Sequence, residues 1–397
     1  MTVKEAVAPL NYRLFDADNH YYEPRDCFTR HIEASFRDAA IRPELLETGE
    51  EVLYFGDRRL IFPTVKFDKC EPPGALKDIL RSTKYGSFEE ARSSENMHPA
   101  FQDRGERLKL MDEQGVETTL LLPTVGVAWE QETLHNVPAH YANLRSFNRW
   151  VEEDWGFGDD GRILGVPLIS LVDLDEAVAE TDRLLERGAR VIHIRPAPIG
   201  GRSIADRYFD PFWSRIAEAG IPIAFHLADS GYTDVSAMWG EEPRPNARSV
   251  SALQWGFFFG DRPIMETLAS LIYQNLFGRY PELKVMSIEN GSAWVPYFLK
   301  QLDKGAKMGR YGAWPNGKPA DRPSNYFRQH VKLTPYHEDD CVGLVQILGP
   351  EMVLLGSDYP HPEGTKSPAE FAHSLAGLGE QEVRLIMRDN LRELLDP

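Results

Sequence analysis

The sequence predicts an α/β chain folded as a (β/α)8 barrel, the TIM-barrel architecture, with an insertion after the first strand. From Phe101 onward, short apolar runs alternate with amphipathic helical stretches, which implies parallel strands joined by right-handed crossovers. With the first strand, which precedes the insertion, the apolar runs number eight. Several of them end in acidic or histidine side chains, at the position where barrel sites are built. A doubly wound sheet is disfavoured because no G-x-G-x-x-G follows the first strand. Residues 1–397 read as one domain, with an inserted subdomain at about 44–100.

In the first strand, Arg13 to His20, Leu14 and Phe15 open the apolar run and Asp16, Asp18 and His20 then alternate. Period two puts the three ionisable groups on one face. A solvated strand end explains such a face, but a D-x-H pair also brings two ligand atoms within reach of one ion. The insertion holds a hairpin, EEVLYFGDRRLIF, turning at Gly56-Asp57, followed by the polar stretch KYGSFEEARSSENMHP. It is expected to cover the mouth of a site or to mediate subunit contact, with Tyr54, Phe55 and Phe62 as its own small core.

The alternation then runs regularly. A helix stopped at Gly115 leads into VETTLLLPT, and the helix Ala139 to Trp155 into RILGVPLISL. Asp173 with Glu176 three residues later resembles a capping box, and its helix ends at Gly188. After RVIHIRP, Pro211 opens and Gly220 closes the next helix. IPIAFH, the helix Arg262 to Tyr280 and LKVMSIENG follow. VKLTP, the helix DDCVGLVQILG, MVLLGSD and the last helix, EQEVRLIMRDNLRELL, complete the chain.

A net charge of −17 and a pI near 5.2 argue against nucleic-acid binding. They leave room for an anionic substrate met by local cations. Cys27, Cys70 and Cys341 form no CxxC or Cys/His spacing, which suggests a reducing compartment. The first residues lack the apolar core of a signal peptide, and no window approaches the ~18 apolar residues of a spanning helix. A cytoplasmic protein without membrane contact is expected, assembled as a homo-oligomer, a dimer.

The strand ends carry Asp18 and His20 on the first, His193 and Arg195 on the fourth, His226 on the fifth, Glu289 and Asn290 on the sixth and Asp358 on the eighth. A lone histidine at a strand end is more often a satisfied core residue, and an isolated Ser357-Asp358 pair is a common turn. Acids and histidines at four or five ends together point to a metal centre, because a carboxylate at the lip of a core is costly unless a cation or proton uses it.

The motifs FDADNH, AFH, GRYPELKVMSIENG and LLGSDYPHPEG, in this order, resemble the amidohydrolase superfamily. The nearest branch is the amidohydrolase-2 type that includes aminocarboxymuconate semialdehyde decarboxylase and 5-carboxyvanillate decarboxylase. The resemblance runs from Phe15 to the last helix and leaves out the insertion. It implies metal ligands at Asp18, His20, His226 and Asp358, with Asp358 also taking a proton from metal-bound water. Asp18 departs from the family's usual His-x-His, as the 5-carboxyvanillate enzymes also do. Glu289 stands where the sixth strand often carries a catalytic histidine. The added carboxylate favours manganese or iron over zinc. One divalent ion (Zn, Mn or Fe) is expected; a second would draw on Glu289 and His193, although the bridging Lys or Glu of binuclear members is not evident on the fourth strand.

The first functional reading is a metal-dependent hydrolase, in which metal-activated water attacks a carbonyl of a small organic substrate, an ester, thioester, amide or cleavable C–C bond. Asp358, Glu289 and Arg195 are its catalytic candidates, and Trp255, Phe258 and His361 its substrate contacts. The segment ALQWGFFFG points to an apolar substrate, up to polycyclic in size, although an aromatic cluster is more often core. The alternative is a metal-dependent non-oxidative decarboxylase of an aromatic or unsaturated acid, with Arg195 assisting the carboxylate and Glu289 as the proton donor. A catalytically silent barrel that only binds is the third reading.

Overall fold

The computed structural model describes residues 10–82 and 94–396. The polar stretch read at 84–99 lies outside these residues as far as position 93. Strand Leu14–Tyr21 pairs in parallel with Val116–Pro123, which pairs with Ile163–Gly165. Leu168–Ile169, Ile192–Ile194, Ile223–His226, Val285–Ile288 and Val331–Leu333 continue the parallel order. The third strand is split because Pro167 has no N–H to give. Val166 N donating to Leu121 O (3.0 Å) and His193 N to Pro167 O (2.9 Å) keep the ring continuous.

The segment 353–359 closes the barrel. Leu354 N donates to Leu333 O and Ala17 N to Leu355 O, both at 2.9 Å, and Asp358 N reaches Asp18 O at 2.8 Å. Ala17, Leu120, Leu164, Ala224, Met286 and Leu354 belong to one buried cluster drawn from six strand positions, the barrel interior, with Leu391 and Leu395 of the last helix among them. The outward-facing apolar side chains pack under the helices.

Asp173 caps its helix by accepting from Asp175 N and Glu176 N, and Gly220 ends the next at φ 67°. The single helix expected over Arg262 to Tyr280 is two, Asp261–Tyr273 and Leu276–Arg279, because Asn275 adopts left-handed φ of 56° between them. Val295–Met308 and Pro323–His330 are helices that the alternation did not reveal. No helix among the described residues is long and apolar enough to cross a membrane.

In the insertion, Glu51–Phe55 and Arg58–Arg59 form the hairpin about Gly56-Asp57, and an additional strand, Ile41–Leu45, flanks it. Its residues do not make a private core. Ile41, Leu53 and Phe55 join the main core, and Asn143 of the helix Val137–Asp154 bonds the sheet edge through Ile41 N (2.6 Å) and Ala39 O (3.0 Å). A three-stranded sheet this small has only one face to bury, and it buries that face on the barrel's helix layer.

Candidate metal centre and pocket

Asp18, His20, His226 and Glu289 each place a ligand atom within 4.8 Å of the others. His20, Asp358 and His361 form a second such group, and Glu289, Asp358 and Glu363 a third. His20 Nε2 lies 3.2 Å from Asp18 Oδ1 and 3.4 Å from Asp358 Oδ1. His226 Nε2 lies 3.6 Å from Asp18 Oδ1 and 2.9 Å from Glu289 Oε2. Both rings are oriented by main chain: His226 Nδ1 donates to Leu227 O (2.7 Å) and His20 Nδ1 to Pro123 O (3.3 Å). Their Nε2 atoms are thereby turned toward the carboxylates, the usual way in which a ligating imidazole is aimed.

The electrostatics favour a cation. Burial opposes charge on His226, yet Asp18 and Glu289 outweigh it and raise the ring well above the ordinary histidine range. Burial raises Asp358, and repulsion from Glu289, Glu363 and Asp18 raises it further. Glu289 is raised by burial. Burial also raises Asp18, but hydrogen bonds to His20 and His226 prevail and hold it below the usual carboxylate range. His20 is pushed down to about 3 by burial and then by His361. Two imidazole nitrogens, the buried carboxylates of Asp18 and Asp358 and the mostly covered carboxylate of Glu289 make a donor set that fits a divalent ion.

The first and last strands are tied beneath this group. Asp16 accepts from Ser357 Oγ (2.5 Å), Ser357 N (3.1 Å), Asn19 Nδ2 (2.9 Å) and Asp18 N (3.2 Å). Buried Arg107 donates to Asn19 Oδ1 (2.8 Å) and to His20 O. The sequence reading placed Asp16 on the ionisable strand face without giving it this role, and Arg107 reads there as one more charge on a polar helix.

A hydrogen-bonded chain leads from Asp358 to the pocket wall. Thr124 Oγ1 lies 2.7 Å from Tyr21 O, and a carbonyl only accepts, so the threonine hydrogen is spent there. Its oxygen therefore accepts from His361 Nε2 at 2.9 Å. With that nitrogen protonated, the 2.7 Å contact between His361 Nδ1 and Asp358 Oδ1 holds a further proton, on the ring or on the carboxyl.

Above the group lies a cavity of about 290 Å³. His20, His226, Glu289 and His361 form its floor, and residues 62–67, Trp255 and Phe259 stand among its walls. Trp255 and His361 thus lie where the sequence reading put them. Phe258 does not: it is buried with the Arg262 guanidinium 5.3 Å over its ring. Phe259 takes its place, because residues four apart at the end of a helical turn share a face with Trp255. Phe62, read as insertion core, lines the cavity.

Arg195 is not among the residues that line this cavity: it donates to Gln131 Oε1 (2.6 Å) and Asp229 O (3.3 Å) and sits 3.7 Å from Glu130. His193 is edge-on to His226 with ring centroids 6.3 Å apart and belongs to none of the ligand groups. Burial pushes it to about 3. Two acids that the strand-end reading passed over shape the pocket, Glu23 from a loop and Glu132 from the short helix Glu130–Thr133. Glu23 accepts from Val125 N and Gly126 N, both at 2.9 Å. Glu132 accepts from Ile61 N and Phe62 N, each at 2.8 Å.

The chain is similar along its length to known proteins. The amidohydrolase family model matches residues 15–396. A solved amidohydrolase of Mycobacterium avium subsp. paratuberculosis K-10 is 40% identical, with a TM-score of 0.87 over 97% of this chain and 100% of that one. A 2-amino-3-carboxymuconate-6-semialdehyde decarboxylase of Dictyostelium discoideum is 23% identical over 241 residues, 59% of this chain and 61% of that protein, so the match spans under two thirds of that relative. A 5-carboxyvanillate decarboxylase of Novosphingobium aromaticivorans DSM 12444, solved with manganese and 4-hydroxy-3-methoxy-5-nitrobenzoic acid, shares the fold at 17% identity and a TM-score of 0.63, over 98% of this chain and 97% of that one. By the match to its family model over nearly every described residue of the barrel, the chain belongs to the amidohydrolase family.

Proposed function

We propose that this chain is a metal-dependent, non-oxidative decarboxylase of an aromatic or unsaturated carboxylic acid. The observation that carries the reading is the run of contacts from Asp358 Oδ1 to His361 Nδ1 (2.7 Å) and from His361 Nε2 to Thr124 Oγ1 (2.9 Å), a geometry that calls for a proton between the carboxylate and the ring. Water-based hydrolysis needs a free base at Asp358 or Glu289, whereas loss of a carboxylate needs an acid beside the carbon that is left. The relatives named as decarboxylases support the same choice. The amidohydrolase name of the 40% identical structure speaks only to the family.

A divalent ion held by Asp18, His20, His226 and Asp358, with Glu289 alongside, would supply the charge that grips the substrate carboxylate and a neighbouring oxygen. The chain's own residues do the rest. Thr124 holds His361 in the orientation that keeps a proton on its Nδ1, shared with Asp358 Oδ1, and the ring lines the cavity. The proton passes to the carbon that bears the carboxylate; the C–C bond breaks, its electron pair stays with the substrate, and CO2 leaves.

The test is turnover of ortho-hydroxylated benzoic acids by the manganese- or zinc-loaded enzyme, with a panel of aryl esters and amides in parallel. Release of CO2, with one deuterium at the vacated carbon when the reaction runs in D2O, is the expected result. Hydrolysis of an ester or amide with no CO2 from any acid would overturn the reading in favour of the hydrolase.

A further inference from the structure

The cavity is larger than one reacting ring requires, and its outer part is built from residues outside the barrel. Phe62 comes from the insertion and Trp255 and Phe259 from the stretch after the fifth strand. Phe62 and Phe259 stack with centroids 5.5 Å apart and planes 13° from parallel, and Trp255 meets Phe259 at 5.2 Å. Trp255 remains 54% exposed although it lines the cavity. So large an indole surface left open beside two stacked rings lacks a partner, and a flat apolar face is what it would take.

The shelf is fixed before anything binds. The main chain of Ile61 and Phe62 is held by the Glu132 carboxylate through both N–H groups. Ala247 N donates to Phe62 O (3.2 Å) and Asn246 Nδ2 to Ile61 O (3.0 Å), which ties the insertion to the stretch that carries Trp255. Rigid aromatic surface of this kind contributes affinity at small entropic cost. Size points the same way. A buried cavity of roughly 150 Å³ is enough for benzene, and this one is about 290 Å³.

We infer that Phe62, Trp255 and Phe259 form a second aromatic subsite, so that the substrate is an acid with two fused or linked rings, or one ring bearing an apolar group of similar size. The inference rests on the decarboxylase reading only in placing the acid end at the metal group. The outer ring lies on the Trp255–Phe259–Phe62 shelf and the carboxyl-bearing ring on the floor of His20, His226, Glu289 and His361.

The experiment measures binding of unreactive probes to the metal-loaded enzyme by tryptophan fluorescence and calorimetry: 2-naphthol against phenol, with 3-hydroxy-2-naphthoic and 2-hydroxybenzoic acids assayed in parallel for CO2. The expected result is a two-ring over one-ring preference of about tenfold or more, the scale set by burying several further apolar carbons. Phe62→Ala and Trp255→Ala should each collapse that ratio toward unity. Phe257→Ala, on the same helical turn but 66% exposed and away from the cavity, should keep it. Equal affinity for one and two rings, or a ratio retained in both shelf variants, overturns the subsite. Shelf-dependent binding of naphthol without CO2 from either acid leaves the subsite standing and removes the decarboxylase reading. CO2 from 2-hydroxybenzoic acid with no naphthyl preference does the reverse.

Discussion

Glu289 and Asp358 leave their strands in the same left-handed backbone conformation, with φ of 55° and 51°, and their carboxylates converge with Glu363 within 4.8 Å. Among the described residues other than glycine, only Asn275 shares positive φ with them. Such a conformation costs an ordinary residue on the order of 1 kcal/mol or more and persists where the surroundings impose it. Here Glu289 N is held by Thr334 Oγ1 (3.0 Å) and Asp358 N by Asp18 O (2.8 Å). The strain turns two acids inward, where an extended strand end would have carried them past the mouth.

Asp358→Asn should abolish turnover, by about a thousandfold or more, while the protein stays folded. Circular dichroism with kcat on the same preparation decides it; a folded variant with near-normal activity removes Asp358 from the proton step.

His226→Ala should lower metal content without dissolving the barrel, because the ring lies at a strand end and the void it leaves faces the cavity. Metal per chain, read by mass spectrometry, should fall well below wild type. Unchanged stoichiometry would take His226 off the ligand set.

Stripping the ion with a chelator should lower Tm by roughly 5 °C or more, since the gathered carboxylates of Asp18, Glu289 and Asp358 are then left without their cation. Manganese or zinc should restore it, and a Tm indifferent to both would count against a bound metal.

Thr124→Val deletes the oxygen that accepts from His361 Nε2. With the imidazole free to turn, kcat should drop about tenfold to a hundredfold while metal content holds. A drop in metal content of the same size would mean that Thr124 serves the ligands instead.

Acidification should destabilise the fold through His140. This ring is buried beside Thr133 Oγ1 (2.8 Å), and burial, then Arg195, pushes its pKa down to about 3. Between about 6.5 and 3 the unfolded chain takes up a proton at this residue that the folded one refuses, so stability falls by about 1.4 kcal/mol per pH unit as pH drops. Urea unfolding at pH 6.5 and pH 5 should show a shallower pH dependence, by about one proton, in His140→Gln than in wild type. Equal slopes would contradict the assignment.

The barrel was legible because alternation of buried strand and amphipathic helix is local, and so was the charge at each strand end. Asp18, His20, His226, Glu289 and Asp358 could be gathered without coordinates because a barrel brings all its strand ends to one face. Arg195 and Phe258 were misplaced for a shared reason. Each sits one turn or one residue from the cavity, and whether a side chain at the rim faces in or back into protein depends on contacts that the strand and helix pattern does not show. For Arg195 these are Gln131 and Asp229, and for Phe258 it is Arg262. Glu132 lies off the strands, and Thr124 stands at the end of one but carries no charge to mark it; only the fold sets them against Phe62 and His361.

The clasp between Asp16 and Ser357 spans 341 residues of chain, and the ligand group draws on both of its strands. No stretch of the barrel short of the whole can therefore bind the ion as the complete one does. During synthesis Asp18 and His20 emerge among the first described residues and wait for the last strand to dock. Ion uptake thus becomes a late event that reports ring closure, and a chain arrested before Ser357 should neither hold metal nor resist proteolysis at its open edge.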